Sequence, residues 1–290
     1  MIIMSNYVIL TDSSGDLSAS VAASLGVVSI PLEVNIEGQG TKFDDELDVK
    51  EFYDLLRTKT SAKTSAVNMD RFKEFFEGYL KEGKDVIYLG FSSGLSVTYT
   101  NARNAAEELS EAYPERRIVA IDTLCASLGQ GLLVSLAAKK QAQGASFEEV
   151  VEWVESHKLN LCHWFTVDDL FFLKRGGRVS AATAVLGTML AIKPVLHVDN
   201  DGHLINVSKA RGRRAAIAAL AQKLDETGID PDCQLMYICH GDCIDDANLL
   251  ASIVKEKYPN CEIMIDYTGP VIGAHSGPGT LALFYLGSER

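Results

Sequence analysis

Three short apolar runs, YVILTD at 7–12, DVIYLG at 85–90 and RIVAID at 117–122, each end on or beside a polar residue and lead toward a helix-like stretch. Runs this apolar and this short read as strands buried on both faces. Between them, 17–25 reads as a helix up to Gly26. Asp48 and Glu51 have the spacing of a capping pair opening a helix with Phe52, Leu55 and Leu56 on one side. Phe72, Phe75, Phe76 and Leu80 recur at helical spacing, as do Leu132, Leu133 and Leu136 beyond 122. The run at 27–36 reads as one further strand. Strands alternating with helices require a parallel sheet covered on both faces, a three-layer α/β/α arrangement. Ligands bind such sheets outside the carboxyl ends of the strands. Asp12-Ser13-Ser14, the stretch from Ser92 to Ser96, and Asp122-Thr123 converge there as a rim of small hydroxyl residues.

The rhythm changes after Leu161. A short helix over 168–175 stops at Gly176 and Gly177, and 193–207 reads as a hairpin turning at Asn200-Asp201-Gly202. Strands are expected at 234–239, 262–266 and 280–286, with a helix over 213–226 and another after 239. This pattern suits a mixed or antiparallel sheet with helices on one face. The chain is therefore expected to hold two α/β domains, 1–160 and 161–290, packed closely without a linker.

Bulk composition narrows the function. The 290 residues carry 27 Lys and Arg against 39 Asp and Glu, a net charge of −12 that disfavours nucleic acid as a partner. No stretch is long enough for a membrane span, and the first residues lack a signal-peptide pattern, so integral membrane association is excluded and a cytoplasmic location expected. Six cysteines without C-x-x-C spacing are too sparse for a disulfide scaffold and read as buried thiols. Cys239, His240, Asp242 and Cys243 lack the partners of a metal site, so no metal is expected.

Gly90-Phe91-Ser92-Ser93-Gly94 matches the G-x-S-x-G elbow of serine hydrolases. Ser92 as nucleophile would need a base, with His240 and His275 available in chain order. The strands ahead of it are too few for the usual hydrolase sheet. The hydroxyls are also several: Ser92, Ser93, Ser96 and Thr98. Several short donors at a helix start suit an anion cradle. Capping of that helix is the plainer alternative. Thr64-Ser65 reads as a cap region ahead of the aromatic-faced helix, and Asp12 as a hydrogen-bond organiser of the strand-end loops. Lys174, Arg175 and Arg178 flank two glycines, which suits an oxyanion or equally a cationic helix end. The Gly/Pro-dense loop 269–280 presents His275. Lys209, Arg211, Arg213 and Arg214 form a basic cluster that suits an acidic partner or a solvated helix start.

Taken in order, Thr11–Leu17 (TDSSGDL), Thr64-Ser65, Phe91–Ser96 (FSSGLS), Asp122 with Ser127–Gly131 (SLGQG), Leu173–Ser180 (LKRGGRVS), Ile192-Lys193-Pro194 and Gly269–Thr280 (GPVIGAHSGPGT) resemble the DegV family of bacterial fatty-acid-binding proteins across nearly the whole chain. The resemblance implies a two-domain fold with a fatty acid between the domains and no cofactor. It implies that Thr64, Ser65 and Ser96 bind the carboxylate and that Arg178 and His275 stand beside it in support of phosphoryl transfer. Lys209 and Arg211 fall where the family docks an ATP-dependent kinase, so the chain would be the non-catalytic lipid-binding subunit of a fatty acid kinase. Val185, Leu186, Met189, Leu190 and Ile192 supply apolar surface for core or tunnel wall. No P-loop or kinase glycine-rich signature is present, which agrees with an external ATP site. The sequence departs from the family pattern at Val97, where Gly is usual, at Ala66-Val67-Asn68, where Gln-Pro-Ser is usual, and at Thr123, where Ser is common. A serine esterase using Ser92 and a dihydroxyacetone-kinase-like substrate-binding subunit are the alternatives.

Overall fold

The three apolar runs form the centre of a four-stranded parallel sheet in the computed structural model, which describes residues 6–179 and 192–290. β1 (Tyr7–Asp12) lies between β2 (Val28–Ile30) and β6 (Asp85–Gly90), and β7 (Ile118–Asp122) pairs with the far side of β6. Alternate side chains feed opposite faces. Ile9, Ile87 and Leu89 pack with α1 (Ala19–Leu25) and α5 (Leu128–Ala142) on one side. Leu10, Val86 and Tyr88 pack with α3 (Met69–Lys81) and α4 (Thr98–Ala112) on the other. That is the three-layer arrangement expected from the sequence.

The stretch 27–36 is two strands rather than one. Pro31, which lacks an amide proton, separates β2 from β3 (Glu33–Ile36). β3 is the middle of a small antiparallel sheet with β4 (Gly40–Phe43) and β5 (Ala62–Ser65). Thr64 and Ser65 therefore lie on a strand, not in a cap. The cap of α3 is Asn68, whose side chain accepts from the Arg71 amide at 2.9 Å. Asp48 caps α2 (Val49–Arg57) as expected, accepting from the Glu51 amide at 2.8 Å.

From Leu161 onward the strands build a six-stranded sheet in the order β10-β9-β8-β13-β11-β12. The members are β8 (Leu161–Thr166), β9 (Ile192–Val198), β10 (Leu204–Arg211), β11 (Leu235–His240), β12 (Glu262–Tyr267) and β13 (Leu281–Leu286). Only β11 and β12 run parallel. One face is covered by α8 (Arg213–Thr227) and α9 (Ile244–Lys257), through Ile217, Leu220, Leu224 and Leu250. The other face meets α5. Tyr237, Cys239, Ala282 and Phe284 share one apolar cluster with Leu128, Leu132 and Leu133. α5 thus lies between the two large sheets and is buried nearly all round, which is why its sequence shows no polar face. Each of those leucines contributes about 1.5–3 kcal/mol by burial.

α6 (Phe147–His157) opens with a reciprocal Ser146–Glu149 cap, and α7 (Phe171–Arg175) ends at Gly176 as the glycines foretold. The Gly/Pro-dense stretch corrects the expectation of a loop: Pro270–Ser276 is helix α10. Proline is suited to the first helical position, and Gly277 closes the helix at φ 79°. All six cysteines are free; Cys233 is exposed and Cys243 half-buried, the other four being buried. Among the described residues, no helix is long and apolar enough to cross a membrane. Ser180, Val185, Leu186, Met189 and Leu190 lie outside the described residues.

Candidate functional site

The carboxyl ends of the parallel strands face the inner surface of the six-stranded sheet across a cavity of about 440 Å³. Its body is apolar, with Phe91, Phe165, Leu173, Ile272 and Phe284 on the walls. Thr64, Ser96, Arg178 and His275 line the same cavity, brought from four separate elements or loops. Long-range packing alone creates this grouping, since Thr64 and His275 are 211 residues apart.

Thr64 Oγ1 and His275 Nε2 are 2.7 Å apart. Among the described residues, Nδ1 of His275 is buried without a partner. Burial, reinforced by the Arg178 and Arg175 cations, pushes the imidazole down to about 4, so it is neutral near pH 7. A neutral imidazole with its proton on Nε2 donates to Thr64 and leaves the Thr64 proton for a ligand. The fit is close. Gly176 has room for no side chain: a β-carbon there would collide with Nδ1 of His275 and stand 3.3 Å from its Cγ. Arg178 follows two residues on, half-buried, with Nη1 donating to the Gly176 carbonyl. Burial lowers its pKa, yet a guanidinium keeps its charge.

Ser96 stands where α4 begins. Its Oγ accepts from the Thr98 amide at 3.2 Å and lies 2.9 Å from Thr98 Oγ1. Ser96, which precedes Val97 at the N-cap position, thus bonds the first helical amide and also borders the cavity. Val97, beside it, also borders the cavity, is 62 % exposed and adopts φ −80°, ψ 1°, a negative-φ conformation that does not require the glycine usual there. Ser65 does not share the cavity. Strand alternation turns it away from the Thr64 side, where it is exposed. Lys209 and Arg211 are also outside the cavity, exposed on β10, the edge strand of the six-stranded sheet.

Ser92 is not poised for nucleophilic attack. It is fully buried, its Oγ donates to the Gly202 carbonyl at 2.9 Å and accepts from the Gly94 amide at 3.1 Å. Its candidate bases are engaged elsewhere: His275 with Thr64, and His240 Nδ1 with the Cys243 amide. The second glycine of G-x-S-x-G has another purpose. A β-carbon at Gly94 would stand 2.8 Å from the Asp201 carbonyl and 2.9 Å from that of Gly202. The hairpin turn of β9–β10 thus seats directly on the serine loop. Asp12 organises the neighbouring loops as expected. It accepts from Tyr88 Oη (2.6 Å), from the Phe91 amide (3.0 Å) and from the Ser14 amide (3.1 Å).

The DegV family model, described as "Uncharacterised protein, DegV family", matches residues 6–288. The chain belongs to the DegV family. A DegV domain-containing protein of Clostridium perfringens is 46% identical over 289 residues, covering 99% of this chain and 99% of the relative. A DegV family protein from Thermus thermophilus, whose structure is described as showing fatty acid binding, is similar with a TM-score of 0.85 and 30% identity, over 97% of this chain and 99% of that one. The Fak B3 protein of the Streptococcus pneumoniae fatty acid kinase, solved with linoleic acid, has a TM-score of 0.85 at 23% identity, over 98% and 99% of the two chains. At that identity the likeness extends to the DegV fold. The α/β architecture described above, two large sheets and one small one, is therefore the family's.

Sequence reasoning missed the rest of the lining. Ser127, His163, Cys239 and Thr268 also border the cavity. Ser127 stood in the SLGQG motif without a role, Cys239 and Thr268 stood at or just past strand ends, and His163 lies inside β8, where nothing in the sequence separates a lining residue from a core one.

Proposed function

We propose that the cavity holds a long-chain fatty acid, with its carboxylate at Thr64 and Ser96 and its acyl chain along the apolar walls between the two large sheets. The observation that carries this reading is the Thr64–His275 pair in a cavity whose walls are largely apolar. A neutral imidazole bonded to a threonine leaves a hydroxyl donor for an anion without burying a second charge. Arg178, desolvated beside them, supplies the compensating positive charge. The family relationship and the fatty-acid-bound relatives support the same ligand class. In this reading the protein is a binding subunit without catalysis of its own. It presents the carboxylate to an ATP-dependent kinase that forms the acyl phosphate and docks at Lys209 and Arg211. Arg178 and His275 steady the carboxylate during that transfer.

Fatty-acid affinity of Ser96→Ala and Ser92→Ala variants tests the assignment. Ser96→Ala should weaken binding by about fivefold to tenfold, a lost hydrogen bond to a charged group. Ser92→Ala should leave affinity nearly intact, because its hydroxyl is turned to Gly202. The reverse order would remove Ser96 from the carboxylate site.

A further inference from the structure

Ser127 is the most unusual residue bordering the cavity. Its backbone sits at φ 55°, ψ −147°, a conformation that glycine enters freely and L-residues rarely adopt. The chain nonetheless places a serine there, 94 % buried, with its side chain at the cavity wall. Its hydroxyl donates to Asp16 Oδ2 and lies 3.4 Å from Cys239 Sγ. Thr268 Oγ1 in turn donates to Cys239 Sγ at 3.0 Å. With Asp16 Oδ2 accepting from Ser127 and Cys239 Sγ accepting from Thr268, the one proton left to pair Cys239 with Ser127 is the thiol's, so Thr268 gives to Cys239, Cys239 to Ser127, and Ser127 to Asp16. Every proton in the relay is committed. What remains toward the cavity is acceptor capacity, on Ser127 Oγ and Thr268 Oγ1. Burial holds the Asp16 carboxyl well above its usual range, which disfavours an ion at this wall.

This cluster is separate from Thr64 and His275. Thr268 precedes α10 and His275 lies in its last turn, so they are roughly 10 Å apart along the helix. A ligand anchored at Thr64 would pass the relay part-way along its chain. A saturated chain leaves these lone pairs desolvated and unpaired, which is unfavourable. We propose that Ser127, backed by the Thr268–Cys239–Ser127–Asp16 relay, selects acyl chains that carry a mid-chain hydroxyl, which donates to the free lone pair of Ser127 Oγ. The inference rests on the fatty-acid reading of the cavity and adds the substrate class.

The test compares octadecanoic acid with octadecanoic acids bearing one hydroxyl at carbon 10 or carbon 12, by competition binding to the full chain. The native protein should prefer one of the hydroxy acids by about threefold to tenfold. In Ser127→Gly, which suits the positive φ and so keeps the fold, the ratio should fall to near one. Thr268→Val, whose shape is kept, should also lower the ratio, and Thr268→Ser should restore it. A native protein that prefers the unsubstituted acid, or a preference that survives Ser127→Gly, overturns the inference while leaving the fatty-acid reading standing. Failure of the native protein to bind any of the three acids overturns both.

Discussion

Gly176→Ala isolates the contact on which the carboxylate site depends. Gly176 has φ −72° and ψ −12°, so alanine fits the backbone and should contribute about 0.5–1 kcal/mol by restricting the unfolded chain. The new methyl, however, would occupy the space of His275 Nδ1. The ring must swing away, and the 2.7 Å bond to Thr64 is lost. That loss costs about 0.5–1.5 kcal/mol and the overpacking about 1–3 kcal/mol more, so the variant should be less stable by about 1–3 kcal/mol. Binding should fall as well. Thr64 loses the partner that frees its proton for the ligand, and affinity for a long-chain fatty acid should fall about tenfold. The imidazole, moved toward water, should titrate well above its native value of about 4. NMR titration of the His275 ring, thermal unfolding and competition binding read the three quantities on one variant. An unchanged His275 titration together with native affinity would refute the role given to the pair.

Other perturbations address the buried titratable groups and the proposed transfer. Asp16→Asn should stabilise the protein more at pH 8 than at pH 5: burial raises the folded-state pKa of Asp16, so the native carboxyl loses stability as pH rises through that value, and the amide does not. Denaturant midpoints at the two pH values check this. His197, buried and pushed down to about 4, should contribute the opposite slope. Its stabilisation is present above pH 6.5 and is lost as pH falls toward 4, by up to about 3 kcal/mol. His197→Gln should flatten the stability profile across that window. Arg178→Ala should retain bound lipid yet fail to support acyl-phosphate formation by a fatty acid kinase; undiminished product would remove Arg178 from the transfer.

Much of the architecture was legible because strand burial is written in runs such as DVIYLG, and helix limits in residues such as Asp48 and Gly176. The small sheet carrying Thr64 was not legible. AKTS is short and polar, and only its pairing with β3 makes it a strand. The same pairing fixes which of Thr64 and Ser65 faces the cavity, a one-residue distinction that periodicity could not make over four residues. α10 was hidden because glycine and proline ordinarily break helices, whereas here Pro270 starts one and Gly273 clears space for Tyr53. The elbow-like motif misleads for a related reason. Ser92 and Gly94 answer to a hairpin turn more than a hundred residues later, a contact with no local signature.

Native mass spectrometry of the protein purified from a bacterial host tests the central claim most directly. The account predicts a complex whose added mass is that of one long-chain fatty acid, released on denaturation as the free acid, and reduced in Thr64→Val and Ser96→Ala. Protein that carries no lipid and takes up none when mixed with long-chain fatty acids would contradict it.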